Sequence, residues 1–390
     1  MIRRAAVPLL VILATLLLAS SPGTAAAPRE RRVETVTIAT TGWGHGVGLS
    51  QYGARNRAAA GQSYRTIVQH YYPGTSFANA YGNLRVLITA DTSRDVVVLA
   101  RPGLKAASLG AHKTWRLPGK YRGKAITLWR IQPQGKRSRI SFRVGSWHVW
   151  RSVKGDAQFS AGSQPTVLVT PKGRAAYRGA LRSTSTNASG TSRDTVNVLP
   201  VDSYLRGVVP SEVPASWPAA AVRAQAVAAR TYAIYERRAH RTRYYDLCDT
   251  AHCQVYRGFK KEHPNATAAV RATARKVLMY GGRPAFTQFS ASNGGWSVAG
   301  QFPYLRARED TFDHGIPGDP KGRDFSAAAI TRNWPGIGDL VSIDVSARDP
   351  EDHRVTEVTV VGSNFTQTVS GAQLKSWLDL NSTLFTITYL

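Results

Sequence analysis

"LRGVVPSEVPASWPAAAVRAQAVAARTYAI", residues 205–234, joins a proline-containing turn to the strongest helix signal in the chain. Alanine dominates from Ala219 to Ala233, which favours an α-helix and lets neighbouring elements approach it closely. Ser216 is placed to cap this helix at its N-terminus, and Pro218 fits its first turn. The stretch therefore predicts a long helix on which other elements pack.

Glu212 stands in the turn that precedes this helix, among apolar residues. Val208, Val209, Val213 and Trp217 are its neighbours in sequence. Because burial disfavours a carboxylate, this setting predicts a raised pKa and an acid form that persists nearer neutral pH. The alternative interpretation is a solvated charge at the helix entry, where it would complement the helix dipole.

The remaining sequence predicts a mixed α+β fold. Residues 31–41 alternate like a strand, and residues 54–74 are typical of two helices separated at Gly61. Short alternating runs between 83 and 158 predict a β-rich region. Residues 340–390 contain two β-runs, a short helix and a final strand.

The N-terminus has the pattern of a secretory signal. Arg3 and Arg4 precede a short apolar run, and small residues follow before Pro28, which predicts cleavage near Ala26 and a signal over 1–26. A retained membrane anchor is the alternative, although the run is short for a spanning helix. The expected location is therefore secreted, outside the cell or in the wall, with no transmembrane segment after cleavage.

The charge balance predicts an anionic partner. The 390 residues include 51 Lys and Arg against 24 Asp and Glu, a net charge of +27, and +25 without the two signal arginines. Wall polymers, phospholipid head groups and acidic glycans are the expected surfaces. Nucleic acid is the rival partner, but export and the lack of a recognised nucleic-acid module argue against it.

The β-rich region is basic throughout. Between Arg101 and Gly155 there are 14 Lys or Arg and no Asp or Glu. Such a surface could grip sugar rings or an acidic polymer; alternatively, it is a solvated basic face over a core that uses some of the aromatics. The aromatic residues interleaved with these charges are Trp115, Tyr121, Trp129, Trp147 and Trp150.

"GWGHGVGLSQYGA", residues 42–54, surrounds His45 with glycines that do not follow the dinucleotide pattern G-x-G-x-x-G. Glycine lets a backbone approach a ligand closely, so the imidazole could bond a sugar or peptide group. A structural histidine that holds the loop is the alternative. Gln51 and Tyr52 could lie on the same side of a ligand site as His45.

Cys248 and Cys253 are the two cysteines of the chain. In an oxidising compartment such a pair favours a disulfide. Two thiolates with His252 between them could instead hold a structural zinc ion, with His240 or solvent as the fourth ligand. Either site would brace a loop rather than break a bond.

Several motifs occur together in one order. The chain resembles the stage II sporulation protein D / amidase enhancer LytB (SpoIID/LytB) family over roughly residues 83–390. The resemblance is carried by the 205–234 stretch and by "YRGAL" (177–181), "VNVLPVDSYLRGVV" (196–209), "CDTAHCQVYRG" (248–258), "FSASNGGWS" (289–297), "FPYLRARED" (302–310) and "NSTLFTI" (381–387).

One motif is displaced relative to this family. The Gly-His stretch is expected after the final strand, whereas here it opens the mature chain, which looks like a circular permutation. Permutation requires termini that lie close together, so residues 36–82 should pack beside the last strand. The resemblance thus divides the chain into this segment, a β-rich basic subdomain (83–160) and a core (161–390) with a central cleft.

The resemblance implies a peptidoglycan lytic transglycosylase in cell-wall remodelling or sporulation. Such an enzyme cuts the β-1,4 bond between N-acetylmuramic acid and N-acetylglucosamine, leaves a 1,6-anhydro end, and requires no cofactor. Glu212 matches the family's catalytic glutamate. The alternatives are a non-catalytic amidase enhancer, with a wall amidase as partner, and a structural wall protein held by charge.

The resemblance also suggests which residues contact the glycan strand. Arg230 and Tyr232 on the alanine-rich helix either contact the strand or hold the helix in place. Some family members carry zinc at the position of the cysteine pair. The predicted substrate-binding set is His45, Gln51, Tyr52, Arg230, Tyr232, Ser290, Ser292, Asn293 and Gly294.

Overall fold

A computed structural model describes residues 32–316 and 322–390. The predicted signal over 1–26 lies outside these residues. The described part contains a 3₁₀ turn at Phe259–Lys261. Its α-helices, α1 to α7, are Gln51–Ala59, Tyr64–Tyr71, Val201–Glu212, Ala219–Ala239, Pro264–Ala272, Ala327–Thr331 and Gly371–Leu378.

The strands outnumber the helices, which agrees with the predicted α+β class. Strands β1 to β10 are Thr35–Thr40, Leu49–Ser50, Ser76–Asn79, Asn83–Leu87, Val96–Leu99, Lys105–Ser108, Lys113–Arg116, Lys120–Tyr121, Lys124–Ala125 and Leu128–Gln134. Strands β11 to β19 are Arg137–Val144, Ser146–Lys154, Ala157–Ser160, Thr166–Thr170, Gly173–Tyr177, Ala180–Ser185, Arg193–Pro200, Leu247–Cys248 and Lys276–Tyr280. Strands β20 to β28 are Arg283–Pro284, Phe289–Ser290, Trp296–Ser297, Arg308–Glu309, Arg323–Ser326, Leu340–Arg348, Val355–Gly362, Thr366–Ser370 and Phe385–Tyr389.

Helix α4 is the centre of the helical part. It packs against α1, α2, α3, α5 and β19, and its small side chains permit these close approaches. Ala224, Ala228 and Ala229 are fully buried. The predicted cap was wrong: Pro218 occupies the N-cap position without a side-chain hydrogen bond, and Ser216 is exposed before it.

Two large sheets form the rest of the main core. One has the order β18-β4-β17-β16-β13-β6-β7, and the other β12-β11-β10-β5-β14-β15. Alternate residues of their strands face one continuous apolar cluster, which also receives α3 and part of α4. A smaller cluster lies under β25, β26, β27 and α7.

The first and last described strands are neighbours. Strand β1 pairs antiparallel with β28, in a register that places Val36 opposite Tyr389, and with β24 on its other side. The glycine-rich stretch follows β1 directly. The circular permutation and the domain bounds drawn from the sequence stay predictions.

The aromatic residues of the basic region serve packing more than the surface. Trp129 is buried in the core, which agrees with the alternative of a basic face over a core that uses some of the aromatics and excludes Trp129 from a binding face. Trp150 meets it edge-on at 5.5 Å, and Arg130 stacks 4.1 Å from the Trp147 ring. Tyr121 is 36% exposed. Within the described ranges, no helix has the length and apolar character needed to cross a membrane.

Candidate active site

Glu212 and His45 face the same open cleft, of about 530 Å³. Five separate parts of the chain meet there: the glycine-rich stretch with α1, the end of α3, the middle of α4, and two loops. The lining residues are Trp43, Gly44, His45, Gln51, Glu212, Tyr232, Ala251, His252, Cys253, Gln254, Val255, Gln288, Phe289, Ser290 and Ala291.

Glu212 is the last residue of α3 and is half-buried. Burial raises its pKa, although the backbone N–H of Val255, which donates to Oε1 at 3.0 Å, lowers it in part. The negative end of the α3 dipole also disfavours an anion at this position. The alternative of a helix-entry charge was therefore wrong, because Glu212 ends one helix and does not begin the next.

The surroundings of Glu212 are apolar on the protein side. Val208, Val209 and Val213 are buried behind it. Among the described residues that line the cleft, Glu212 is the single carboxylic acid. The cleft thus offers one proton donor whose acid form is favoured by its environment.

The glycine-rich stretch is attached to the 288–294 loop by backbone pairing. Strand β2 runs parallel to β21, and Trp43 and Ser292 exchange two backbone hydrogen bonds. Gly48 has φ +73°, and a Cβ there would lie 2.1 Å from the carbonyl oxygen of Gln288. A side chain at this position would force the glycine-rich stretch away from the 288–294 loop.

His45 is held by its own loop. Its Nδ1 accepts a hydrogen bond from the Val47 N–H at 2.9 Å. Burial of the ring lowers its pKa, a hydrogen bond with the Phe289 backbone opposes this shift, and the charge of Arg354 adds to it. His45 thus lines the cleft with a lowered pKa, and its Nδ1 serves as a hydrogen-bond acceptor.

Gln51 and Tyr52 begin α1. Gln51 lines the cleft, whereas Tyr52 packs edge-on against Trp217 with ring centroids 5.1 Å apart. Arg55 lies over both of these rings, 5.6 and 5.9 Å from their centroids. Tyr52 thus supports the turn after Glu212 instead of lining the cleft.

Of the predicted 290–294 set, Ser290 alone lines the cleft among the described residues, and its Oγ accepts from the Gly46 N–H at 3.2 Å. Ser292 and Asn293 are fully buried. The backbone N–H of Gly294 donates to Asp313 at 3.0 Å. The prediction of direct glycan contacts was wrong for Ser292 and Asn293, because their side chains are engaged inside the protein; for Gly294 it stays a prediction.

A buried polar network under this loop was missed by the sequence analysis. Asp310 accepts from Arg57 at 2.8 Å, from Tyr71 at 2.7 Å and from Asn293 at 3.1 Å. Burial alone would raise the pKa of Asp310, but the Tyr71 hydrogen bond and the charge of Arg57 hold it below its ordinary value. Asp310 is the last residue of the "FPYLRARED" motif, and this acid at the end of the motif was the one sequence signal for the network. A buried acid requires hydrogen-bonding partners.

Arg230 and Tyr232 have different roles. Arg230 is fully buried and pairs with Asp202 at 2.8 Å, while its other nitrogens donate to the carbonyl groups of Val270 and Lys276 at 3.1 and 3.2 Å. Its predicted contact with the glycan was wrong, and the alternative of a helix-holding residue was correct. Tyr232 lines the cleft.

Cys248 and Cys253 form a disulfide. The zinc interpretation for Cys248, His252 and Cys253 does not fit this bond, because zinc requires thiolates. His240, the suggested fourth ligand, pairs with Glu236 at 3.0 Å. No group of three or more metal-ligating side chains occurs in ranges 32–316 and 322–390.

Fold and cleft together define a mixed α+β protein with one acid in an open cleft. Residues 189–280 match the family model described as SpoIID, stage II sporulation protein. This segment, which contains Glu212, α4 and the disulfide loop, is similar to the SpoIID/LytB family, which confirms the family resemblance that the sequence motifs predicted.

Three curated proteins show the extent of this similarity. A protein of Bacillus subtilis (strain 168) named Amidase enhancer is 41% identical over 115 residues, 28% of this chain and 15% of that protein. An uncharacterised protein of Brachyspira hyodysenteriae is 40% identical over 101 residues, 26% and 27% of the two chains. Stage II sporulation protein D of Bacillus amyloliquefaciens is 51% identical over 51 residues, 13% and 15%. The matched parts thus cover about a quarter or less of each relative.

Proposed function

We propose that this protein is a secreted peptidoglycan lytic transglycosylase of cell-wall remodelling or sporulation. It cleaves the β-1,4 bond between N-acetylmuramic acid and N-acetylglucosamine and leaves a 1,6-anhydro product. The observation that carries the proposal is Glu212, a half-buried acid with a raised pKa in the cleft that His45 also lines.

One carboxyl group performs both proton transfers in this mechanism. Protonated Glu212 donates its proton to the glycosidic oxygen as the bond from that oxygen to C1 of the muramic acid breaks. The C6 hydroxyl of the same sugar then bonds to C1, and its proton passes to the Glu212 carboxylate. The acid form is thereby restored and no water is consumed.

The single acid of the cleft favours this route over hydrolysis. Glycoside hydrolases generally use two carboxyl groups, either about 5–5.5 Å or about 6.5–9.5 Å apart. Within the part of the chain that the structure describes, Glu212 has no second acid beside it in the cleft lining. The Val255 N–H remains available to stabilise the carboxylate after the first transfer.

An amidase enhancer is the second candidate, because a relative of 41% identity has that name. An enhancer would bind glycan strands in the same cleft and assist a wall amidase without cutting. Tyr232, stacked on Phe286 with centroids 5.3 Å apart, offers an aromatic face to a sugar ring under either function.

The deciding experiment is mass spectrometry of purified sacculi after incubation with the protein. Wild type is expected to release 1,6-anhydro muropeptides, and Glu212→Gln to lose about 10²-fold or more of the rate. Glu236→Gln is the matched control, because Glu236 is also half-buried with a raised pKa but lies outside the cleft lining. Absence of anhydro products with wild type, together with stimulation of an added amidase, would establish the enhancer function instead.

A further inference from the structure

A second concavity, of about 670 Å³, lies between the C-terminal end of α4 and strands β4 and β16. It shares no lining residue with the candidate active site. We call it the arginine pocket. Its lining residues are Asn83, Arg85, Arg182, Val198, Ile234, Arg237, Arg238, Arg241, Asp246 and Pro284.

The charges of the arginine pocket do not balance. Asp246, the one acid among the described residues that line the pocket, is buried and accepts two hydrogen bonds from the Arg85 side chain, at 2.6 and 3.0 Å. Asp246 thus compensates Arg85 alone. The other four guanidinium groups have no acidic partner among the residues that line the pocket.

Two of these four groups are fixed without any ligand. Arg182 donates from Nε to Gln158 at 3.0 Å, and Arg237 donates to the carbonyl oxygens of Tyr81 and Asn83 at 3.1 and 3.3 Å. Burial lowers the pKa of Arg182, the charge of Asp156 outside the pocket lining partly opposes this shift, and the charge of Arg85 adds to it. Arginine side chains from three separated segments therefore line one concavity, and an anion bound there would compensate their charge.

We propose that the arginine pocket binds a polyanionic phosphate chain, such as a run of glycerol phosphodiesters. Guanidinium groups bind phosphate through paired hydrogen bonds, and four arginines of the pocket have no acidic partner in its lining after Asp246 pairs with Arg85, so a ligand with several negative charges fits better than one with a single charge. The volume lies within the range of about 300–1,000 Å³ that is usual for ligand sites. A concave pocket admits a single chain, whereas a flat membrane surface cannot enter it.

The test is isothermal titration calorimetry of the full chain with a glycerol-phosphate oligomer and with tripolyphosphate. Arg182→Gln combined with Arg241→Gln is expected to weaken binding by about tenfold or more. The matched control is Arg116→Gln with Arg174→Gln, which removes the same charge from exposed positions outside the pocket. This control is expected to change the affinity by less than about twofold.

A second pocket variant addresses the case in which Arg182→Gln disturbs folding. Arg238→Gln with Arg241→Gln changes two exposed side chains and should also weaken binding.

Equal losses in the pocket and control variants would overturn the proposal in favour of general charge attraction. Lack of binding by wild type would also overturn it. Binding to phosphatidylglycerol vesicles alone, lost with the pocket arginines, would assign the site to a membrane instead. Each result is independent of glycan cleavage.

Discussion

Replacement of both Cys248 and Cys253 by serine is expected to loosen the cleft wall that carries Val255. The disulfide joins positions five residues apart, and closing so short a loop stabilises a folded chain by about 2 kcal/mol on the chain-entropy estimate. The Cys248 N–H also donates to the Cys253 sulfur at 2.9 Å. The double variant should therefore lose about that much free energy of unfolding.

The same variant should change the titration of Glu212. Val255 lies two residues after the disulfide, and its N–H stabilises the Glu212 carboxylate. When a hydrogen bond to a carboxylate weakens, the pKa rises. The activity that depends on protonated Glu212 should then persist to higher pH than in wild type.

Two measurements check these expectations. Urea unfolding compares the free energies of wild type and variant, and release of anhydro sugars from glycan strands gives the pH profile. Reduced and alkylated wild type is the control, because it lacks the same bond without a serine substitution. Unchanged unfolding together with an unchanged pH profile would refute the bracing role of the disulfide. Thiols that titrate before reduction would refute the bond itself.

Three further substitutions test the packing around the cleft. Arg230→Met should lower the free energy of unfolding by about 3 kcal/mol. This is the low end of the cost of breaking a buried ion pair, because the partner Asp202 remains 32% exposed and water can solvate it. Arg238→Met, exposed on the same helix, should change it by less than about 0.5 kcal/mol in urea unfolding. Glu212→Gln should stabilise the protein at neutral pH, because the raised pKa of Glu212 in the folded state makes its ionisation there unfavourable. The gain should vanish below about pH 4, where Glu212 is protonated in the folded and the unfolded state alike. Urea unfolding at neutral pH and below about pH 4 measures the difference. Gly48→Ala should lower the melting temperature far more than Gly61→Ala. The added Cβ at Gly61 meets open space, so that substitution costs only about 1–2 kcal/mol for its positive φ. Equal shifts would contradict the close contact between the glycine-rich stretch and the 288–294 loop.

Local sequence features were sufficient for the main elements. The alanine run from 219 became α4, and the alternating runs between 83 and 158 became strands, because helix propensity and strand periodicity act over a few neighbouring residues. The helix start was misplaced, because Pro218 rather than Ser216 stands at the cap. Cap geometry depends on where the preceding turn ends, which residue types alone do not specify.

The sequence could not tell which polar residues face the cleft. Ser290 and Ser292 are two positions apart in similar contexts, yet one lines the cleft and the other is buried against Asp313 at 2.8 Å. Arg230 and Tyr232 differ in the same way, since Arg230 is buried between α4 and its neighbours, whereas Tyr232 lines the cleft. Orientation follows from the packed neighbours, which come from distant parts of the chain.

The sequence by itself determined the α+β class, the central helix, the family motifs and the position of the candidate acid, because each depends on adjacent residues. Only the tertiary structure decided that the cysteines are bonded, that Arg230 is internal, and that Glu212 meets His45 across one cleft. It also brought five arginines from three separated segments around one pocket. The physical reason is that burial, charge balance and hydrogen-bond satisfaction are properties of neighbours in space.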